Sequence, residues 1–300
     1  MPTILRTYPP EMPWAIVEVK NQLFAIATQD MREMVMMSEA AQVPDVPDYI
    51  RGVINLRGRV LPVLDLRKRM GFASALEETE TFCATMEQRE QDHRNWLNEL
   101  ELSVQQRRPF TLATDPHKCA FGKWYDSYHA ENAWVAALLK KFDAPHQQIH
   151  GVATAVEKLK ASQEFDKADQ LIGQTRDGLL AKLIHLFAEL RDLVRDTERE
   201  TAVILAGEDR LFAISVDSAL SIEKFPPENI EEISTLVSVT HNSVVRRLAK
   251  RAKSKDVVLI IETSSLMAGC EMGTVATPDS STGVTTGVLP QTRTPAPSAA

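Results

Sequence analysis

The chain has 300 residues, 44% hydrophobic and 25% charged, which is enough for two modest domains with their own cores. A formal net charge of −7 argues against nucleic acid or anionic membrane as the main partner, because either needs a basic face. No run of about 20 apolar residues exists to span a bilayer, and Met1 to Pro13 lacks the marks of a signal peptide. Cys83, Cys119 and Cys270 are too few and too scattered for a disulfide framework, so a reducing cytoplasm is the expected compartment.

The first stretch reads as strands. Trp14 to Val19 is apolar and partly β-branched, Lys20-Asn21-Gln22 makes a turn, and Leu23 to Ala27 follows. After a loop with Pro44 and Pro47, Gly52 to Leu56 and Val60 to Leu66 form a second hairpin around Arg57-Gly58-Arg59. Pro62 cannot donate to a ladder, so its strand is predicted to be an edge or to carry a bulge. Met31, Met34, Met36 and Met37 are predicted to lie in the core or between lobes, with an adaptable binding surface as the alternative.

From about Glu77 to Arg199 the strand signal disappears. Apolar stripes recur at helical spacing: Met86, His93, Leu97, Leu100, Val104; then Trp134, Leu138, Phe142, His146, Ile149, Ala153, Val156; then Leu180, Ile184, Phe187, Leu190, Val194. Pro109, Pro116 and Pro145 sit at breaks or helix starts. Helices with one apolar face each must pack those faces together, and an antiparallel bundle is the simplest arrangement.

Strands return at Thr201 to Ala206 and Leu211 to Val216, joined through Gly207-Glu208-Asp209. This hairpin repeats the first: Gln22-Leu23-Phe24-Ala25-Ile26 matches Arg210-Leu211-Phe212-Ala213-Ile214, and Val60 to Asp65 echoes Val257 to Glu262. Two related β lobes with a helical region between them are expected. Arg246, Arg247, Lys250, Arg251, Lys253 and Lys255 read as a solvated basic connection, with contact to an acidic partner as the alternative. From Met272 the chain is Thr, Pro, Ser, Gly and Ala with hardly any charge, a composition expected to be disordered.

The helical region holds six of the seven histidines and two of the three cysteines. His146 and His150 are four apart and share a helix face. His93 lies on another stripe, and Cys119 opens a segment after Pro116. Taken singly, His93 reads as a hydrogen-bonded core residue and Cys119 as a small hydrophobe. Taken together, three imidazoles and one thiolate are a tetrahedral zinc set, drawn from separate helices of a bundle. His117, His129, His185 and Cys83 are the competing candidates.

Three segments, His93-xx-Trp96, Cys119-x-Phe121-Gly122-x-Trp124 and His146-xxx-His150, resemble the signature of the bacterial chemoreceptor zinc-binding (CZB) domain. The resemblance implies His93, Cys119, His146 and His150 as zinc ligands, with Trp96, Phe121, Gly122 and Trp124 as packing and turn residues. The run from Tyr49 through Arg51-Gly52-Val53-Ile54-Asn55-Leu56-Arg57-Gly58-Arg59 to Arg67 resembles the CheW coupling proteins of chemotaxis. That family's fold is two small five-stranded β barrels around a hydrophobic junction, and its members bridge chemoreceptor tips and the CheA histidine kinase. Glu33 and Arg57 resemble an ion pair near the family's receptor-contact surface; the plainer alternative is a surface pair worth at most about 1 kcal/mol.

The expected fold is α+β and multidomain: two CheW-like β barrels with an inserted antiparallel helical bundle. Residues 1–76 and 200–270 would form the discontinuous β domain, 77–199 the zinc-binding insert and 271–300 the tail. The expected function is a non-enzymatic cytoplasmic adaptor, coupling a methyl-accepting chemoreceptor to a CheA-type kinase and tuned by a zinc- or oxidant-sensing site. A homodimer through the insert is left open. The alternatives are a purely structural zinc, or a zinc hydrolase; the latter needs a glutamate base where this chain has Gln147.

Overall fold

A computed structural model describes residues 8–9, 12–207, 210–233, 244–251 and 256–267. The expected tail, Cys270, Lys253, Lys255 and the turn residues Glu208 and Asp209 lie outside them.

Five strands precede the helices: β1 (Pro13–Val19), β2 (Gln22–Ala27), β3 (Met31–Met36), β4 (Ile50–Leu56) and β5 (Arg59–Asp65). Six follow: β6 (Thr201–Ala206), β7 (Leu211–Val216), β8 (Ser218–Lys224), β9 (Ile230–Glu232), β10 (Val245–Lys250) and β11 (Val257–Ile261). The hairpin turns carry the left-handed residues that two-residue turns demand. Lys20 and Asn21 have φ of 51° and 60°, Arg57 and Gly58 have 52° and 84°, and Asn55 Oδ1 accepts from the Gly58 N–H at 2.9 Å.

The strands form one six-stranded sheet, β8-β1-β2-β11-β10-β9, and one five-stranded sheet, β3-β6-β7-β5-β4. Among the described residues both ladders are open, which corrects the expectation of closed barrels: closure needs the end strands to hydrogen-bond, and β8 and β9, or β3 and β4, do not.

The sequence repeat has a structural meaning that differs from two separate lobes. Replacing β1, β2, β3, β4 and β5 by β6, β7, β8, β10 and β11, and the reverse, turns the order of one sheet into five successive strands of the other. Each hairpin takes its parallel partner from the opposite half of the chain. Phe24 and Ala25 on β2 pair with Leu259 and Ile260 on β11, while Ala213 and Ile214 on β7 pair with Val63 and Leu64 on β5. Both sheets therefore contain strands from before and after the helices. β1, β2, β6 and β7 each carry a run of four or more buried residues, as strands covered on both faces do.

Pro62 sits on an interior strand, not an edge, and the irregularity opposite β5 lies in β4 between Ile50 and Gly52. The missing N–H costs nothing for a local reason. Val53, opposite Pro62, exchanges both its backbone hydrogen bonds with Ala41, and pairing with β7 begins only at Val63. Met31, Met34 and Met36 lie on edge strand β3, with Met34 and Met36 exposed rather than in the core, whereas Met37 packs against the core as expected. The described part of the basic run is strand β10 and the residue after it, and it is ion-paired within the fold: Arg247 pairs with Glu262, Arg251 with Glu223 and Lys250 with Glu231.

The helices lie between β5 and β6: α1 (Leu66–Arg69), α2 (Ala75–Gln105), α3 (Ala120–Ser127), α4 (Ala133–Lys140), α5 (Asp143–Ala161), α6 (Phe165–Thr175) and α7 (Ala181–Thr197); α8 (Thr263–Leu266) closes the described chain. Ser74 starts α2 with a capping box, its hydroxyl accepting from Glu77 N and Glu77 accepting from Ser74 N. A π turn over Arg176–Leu180 joins α6 to α7. The pairs Thr79–Glu198, Glu90–Arg191 and Glu101–Arg176 run in opposite senses along the chain, so α2 is antiparallel to the α6–α7 helix. Met86, Leu97, Leu100, Phe142, Ile149, Phe187 and Leu190 fill the core between the helices. Trp134 departs from its predicted stripe and is 73% exposed, because the chain breaks after Lys140 and α4 presents Val135, Leu138 and Leu139 inward instead.

Candidate metal centre

Three helices meet around His93, Cys119, His146 and His150. The long α2 carries His93 at mid-length, and the first half of α5 presents His146 and His150 one turn apart. Cys119 is the N-cap of α3, where its sulfur accepts from the Gly122 N–H at 3.1 Å. This turn is tight enough to require glycine: a Cβ on Gly122 would stand 1.8 Å from the Pro116 carbonyl oxygen. One donor atom from each of the four residues lies within 4.8 Å of the others. Zinc bonds of about 2.0–2.3 Å place tetrahedral ligands roughly 3.3–3.8 Å apart, so a small inward adjustment would complete such a sphere.

The ring orientations suit ligation. His93 Nδ1 donates to the Arg89 carbonyl at 2.7 Å, which leaves Nε2 as the free electron pair. That Nε2 is buried and without a partner; on His150 the Ala113 carbonyl lies against one ring nitrogen and the other is free to ligate. Unpaired buried nitrogens are costly, and a cation is the partner that three converging imidazoles would accept. His146 Nε2 already faces Cys119 Sγ at 3.3 Å. Burial holds the imidazoles neutral. It lowers His146 to about 3, helped by His93 and His150, and lowers His150 to about 4, helped by His93. Burial also lowers His93. The Cys119 thiol is raised by burial, with the Gly122 and Phe121 N–H groups opposing. A metal binding here would displace that proton.

Aromatic rings wall the site. Phe121 lies 4.9 Å from His146 and Trp96 4.9 Å from His150, centroid to centroid, and Trp96 Nε1 donates to the Ala113 carbonyl at 2.8 Å. Trp124 stacks on Tyr128 at 4.6 Å and touches Phe82, away from the ligands. The competing candidates stay outside. His117 is exposed and pairs with Asp126, His129 bonds the Ser127 carbonyl, His185 is exposed, and Cys83 is buried against the Arg191 carbonyl. Gln147 is also exposed. The supporting Arg89 carbonyl, Ala113 and the second ring layer of Phe142 and Phe187 had no sequence signal: backbone acceptors carry no residue preference, and the rings read only as core.

Away from this centre, Arg57 on the β4–β5 turn pairs with Glu33 on β3 at 2.9 Å, with the arginine side chain 77% exposed. No helix among the described residues is long and apolar enough to cross a membrane.

Residues 14–93 match the CheW-like domain, and residues 93–156 match the chemoreceptor zinc-binding domain. The chemotaxis protein CheW of Bacillus subtilis is 44% identical over 52 residues, covering 17% of this chain and 33% of that protein. The CheW of Rhizobium meliloti is 40% identical over 57 residues, covering 19% of this chain and 37% of that protein. The chain thus spans little more than a third of the curated relatives it matches. The crystal structure of the scaffolding protein TtCheW from Thermoanaerobacter tengcongensis is 12% identical, with a TM-score of 0.42 over 88% of this chain and 98% of that one.

Proposed function

We propose that this chain, in which a CheW-like domain is followed by a chemoreceptor zinc-binding domain, is a cytoplasmic chemotaxis adaptor whose coupling activity responds to a zinc site. The β strands before and after the helices would form one CheW-type scaffold, residues 1–76 with 200–270, and residues 77–199 the inserted zinc-binding helical domain. The exchange of parallel partners between the two halves supports this: strands beyond the matched segment complete both sheets. The scaffold would bridge a chemoreceptor and a CheA-type histidine kinase, with the Glu33–Arg57 pair and the exposed Met34 and Met36 beside it on the receptor side.

His93, Cys119, His146 and His150 are the proposed zinc ligands. The observation that carries this is the convergence of four donors within 4.8 Å of one another, with His93 Nε2 buried and without a partner among them. When bound, zinc would hold the sulfur as thiolate and tie three helices together. Cys119 is the one soft ligand. An oxidant of the hypochlorous acid class would remove two electrons from its sulfur, leaving a sulfenate and releasing chloride, and so weaken the set.

A route from this site to the scaffold exists in packed side chains. Phe121 abuts His146, Trp124 abuts Phe121, Tyr128 stacks on Trp124, and Glu131 in the following loop accepts from Asn21 on the β1–β2 turn at 2.8 Å. Movement of α3 therefore acts on the first hairpin. Hydrolysis is disfavoured because four protein donors leave no place for water and Gln147 cannot serve as a base.

The test has two parts. Metal analysis of purified protein should find zinc in the wild type and not in Cys119→Ala or His150→Ala. Reconstituted kinase output should then change on zinc removal or Cys119 oxidation; identical output in every state leaves zinc as structural only.

A further inference from the structure

The metal centre is not sealed. A cavity of about 350 Å³ opens beside it, and Cys119, His93, His150, Leu112 and Ala113 are among the residues that line it. Its volume equals roughly twelve water molecules at about 30 Å³ each, enough for a small organic molecule. Trp96 and Phe121 are among its lining residues, and the indole of Trp96 donates to the carbonyl of Ala113, which also lines it. No lysine or arginine lines it. Its one acidic neighbour, Asp92, is held by Arg89 at 2.8 Å and by Gln88 at 2.9 Å. Of the four clustered donors, Cys119 alone belongs to a residue that is not fully buried. His93 Nε2 at this wall is buried and unpartnered.

We infer that this cavity is a binding site and entrance for small uncharged molecules, and that it selects which thiol reagents reach Cys119. An anion entering it must shed water where no cation replaces the lost hydration, whereas a neutral molecule gains contact with rings. Leu112, 43% exposed, is the exposed apolar side chain of the lining, beside exposed Asn95 and Ala120, and a larger or charged side chain there would narrow or charge the approach. The selection deepens the metal-site reading by specifying the reagents that site responds to, yet it can be measured without metal.

The experiment uses the full chain after chelator treatment, with metal content recorded separately. Cys119 is alkylated with neutral iodoacetamide or anionic iodoacetate and quantified by peptide mass spectrometry. Both rates are normalised to those of free N-acetylcysteine. The expected preference for iodoacetamide is about tenfold, equivalent to about 1.4 kcal/mol. Cys83, buried against the Arg191 carbonyl, should stay unlabelled and so reports that the fold is intact. Leu112→Lys should reduce the preference several-fold, and Leu112→Trp should slow iodoacetamide several-fold. Leu112 is partly exposed, so neither change should disturb the core. Equal normalised rates for the two reagents, or a ratio unmoved by Leu112→Lys, would overturn the inference. Failure of the zinc reading would appear instead as absence of metal from untreated protein.

Discussion

Asn21 Nδ2 donates to Glu131 Oε1 across 2.8 Å, although 110 residues separate them in the chain. The bond joins the β1–β2 turn to the loop after the helix that Cys119 caps. Glu131→Ala removes it without touching a donor of the metal centre. Both residues are exposed, so the stability cost should stay below about 1 kcal/mol. Zinc content should be unchanged, while amide exchange at the β1–β2 turn should rise several-fold. If kinase output still follows metal occupancy in this variant, the contact is not the connection.

Arg67 anchors the same junction more firmly. Its Nε meets Asp217 at 2.6 Å and its Nη1 meets Glu78 at 2.8 Å, linking the end of β5 to the turn before β8 and to the start of α2. Both acids raise the arginine further while burial opposes, the sign of charges that stabilise one another. Arg67→Met should cost about 1–2 kcal/mol by removing two charge-assisted bonds, with Lys20 left as the remaining partner of both Glu78 and Asp217. Urea titration of the purified protein checks it; a midpoint equal to wild type would remove Arg67 from the junction's energetics.

Gly122 decides whether Cys119 can face the histidines. Gly122→Ala drives a Cβ into the Pro116 carbonyl, a backbone atom that cannot swing aside. We expect roughly 1–3 kcal/mol of destabilisation and a large loss of zinc affinity, although no donor is altered. Thermal melts paired with metal analysis read both, and full zinc loading of the alanine variant would contradict the tight-turn account.

Acid should loosen the metal-free helices. An exposed histidine titrates near 6.5, but burial holds His146 near 3 and His150 near 4. Between those values the unfolded chain binds more protons than the folded one. The stability linked to neutral rings is present above pH 6.5 and lost as pH falls toward 4. Helicity of chelator-treated protein, followed by circular dichroism, should fall through that window. A double variant with His146→Leu and His150→Leu should flatten the slope.

Much of the architecture is visible in the chain itself. Short apolar, partly β-branched runs broken at Lys20-Asn21 and Arg57-Gly58 mark hairpins, because strand-forming side chains and left-handed turn positions are local requirements. The four donors were legible as a set, since their spacing follows a known pattern, while Trp134 misled because one apolar residue in register does not reveal a helix break. Met34 and Met36 misled in the same way: apolar character alone does not say whether a strand lies inside a sheet or at its edge.

Local chemistry, then, settled which segments become strands, helices and caps, for those depend on neighbours a few residues away. Only the tertiary structure settled the exchange of β5 and β11 between sheets, the open ladders, the cavity beside Cys119 and the bond from Asn21 to Glu131. Each of these depends on surfaces brought together from segments far apart in the chain, and contact at that range leaves no period in the sequence to read.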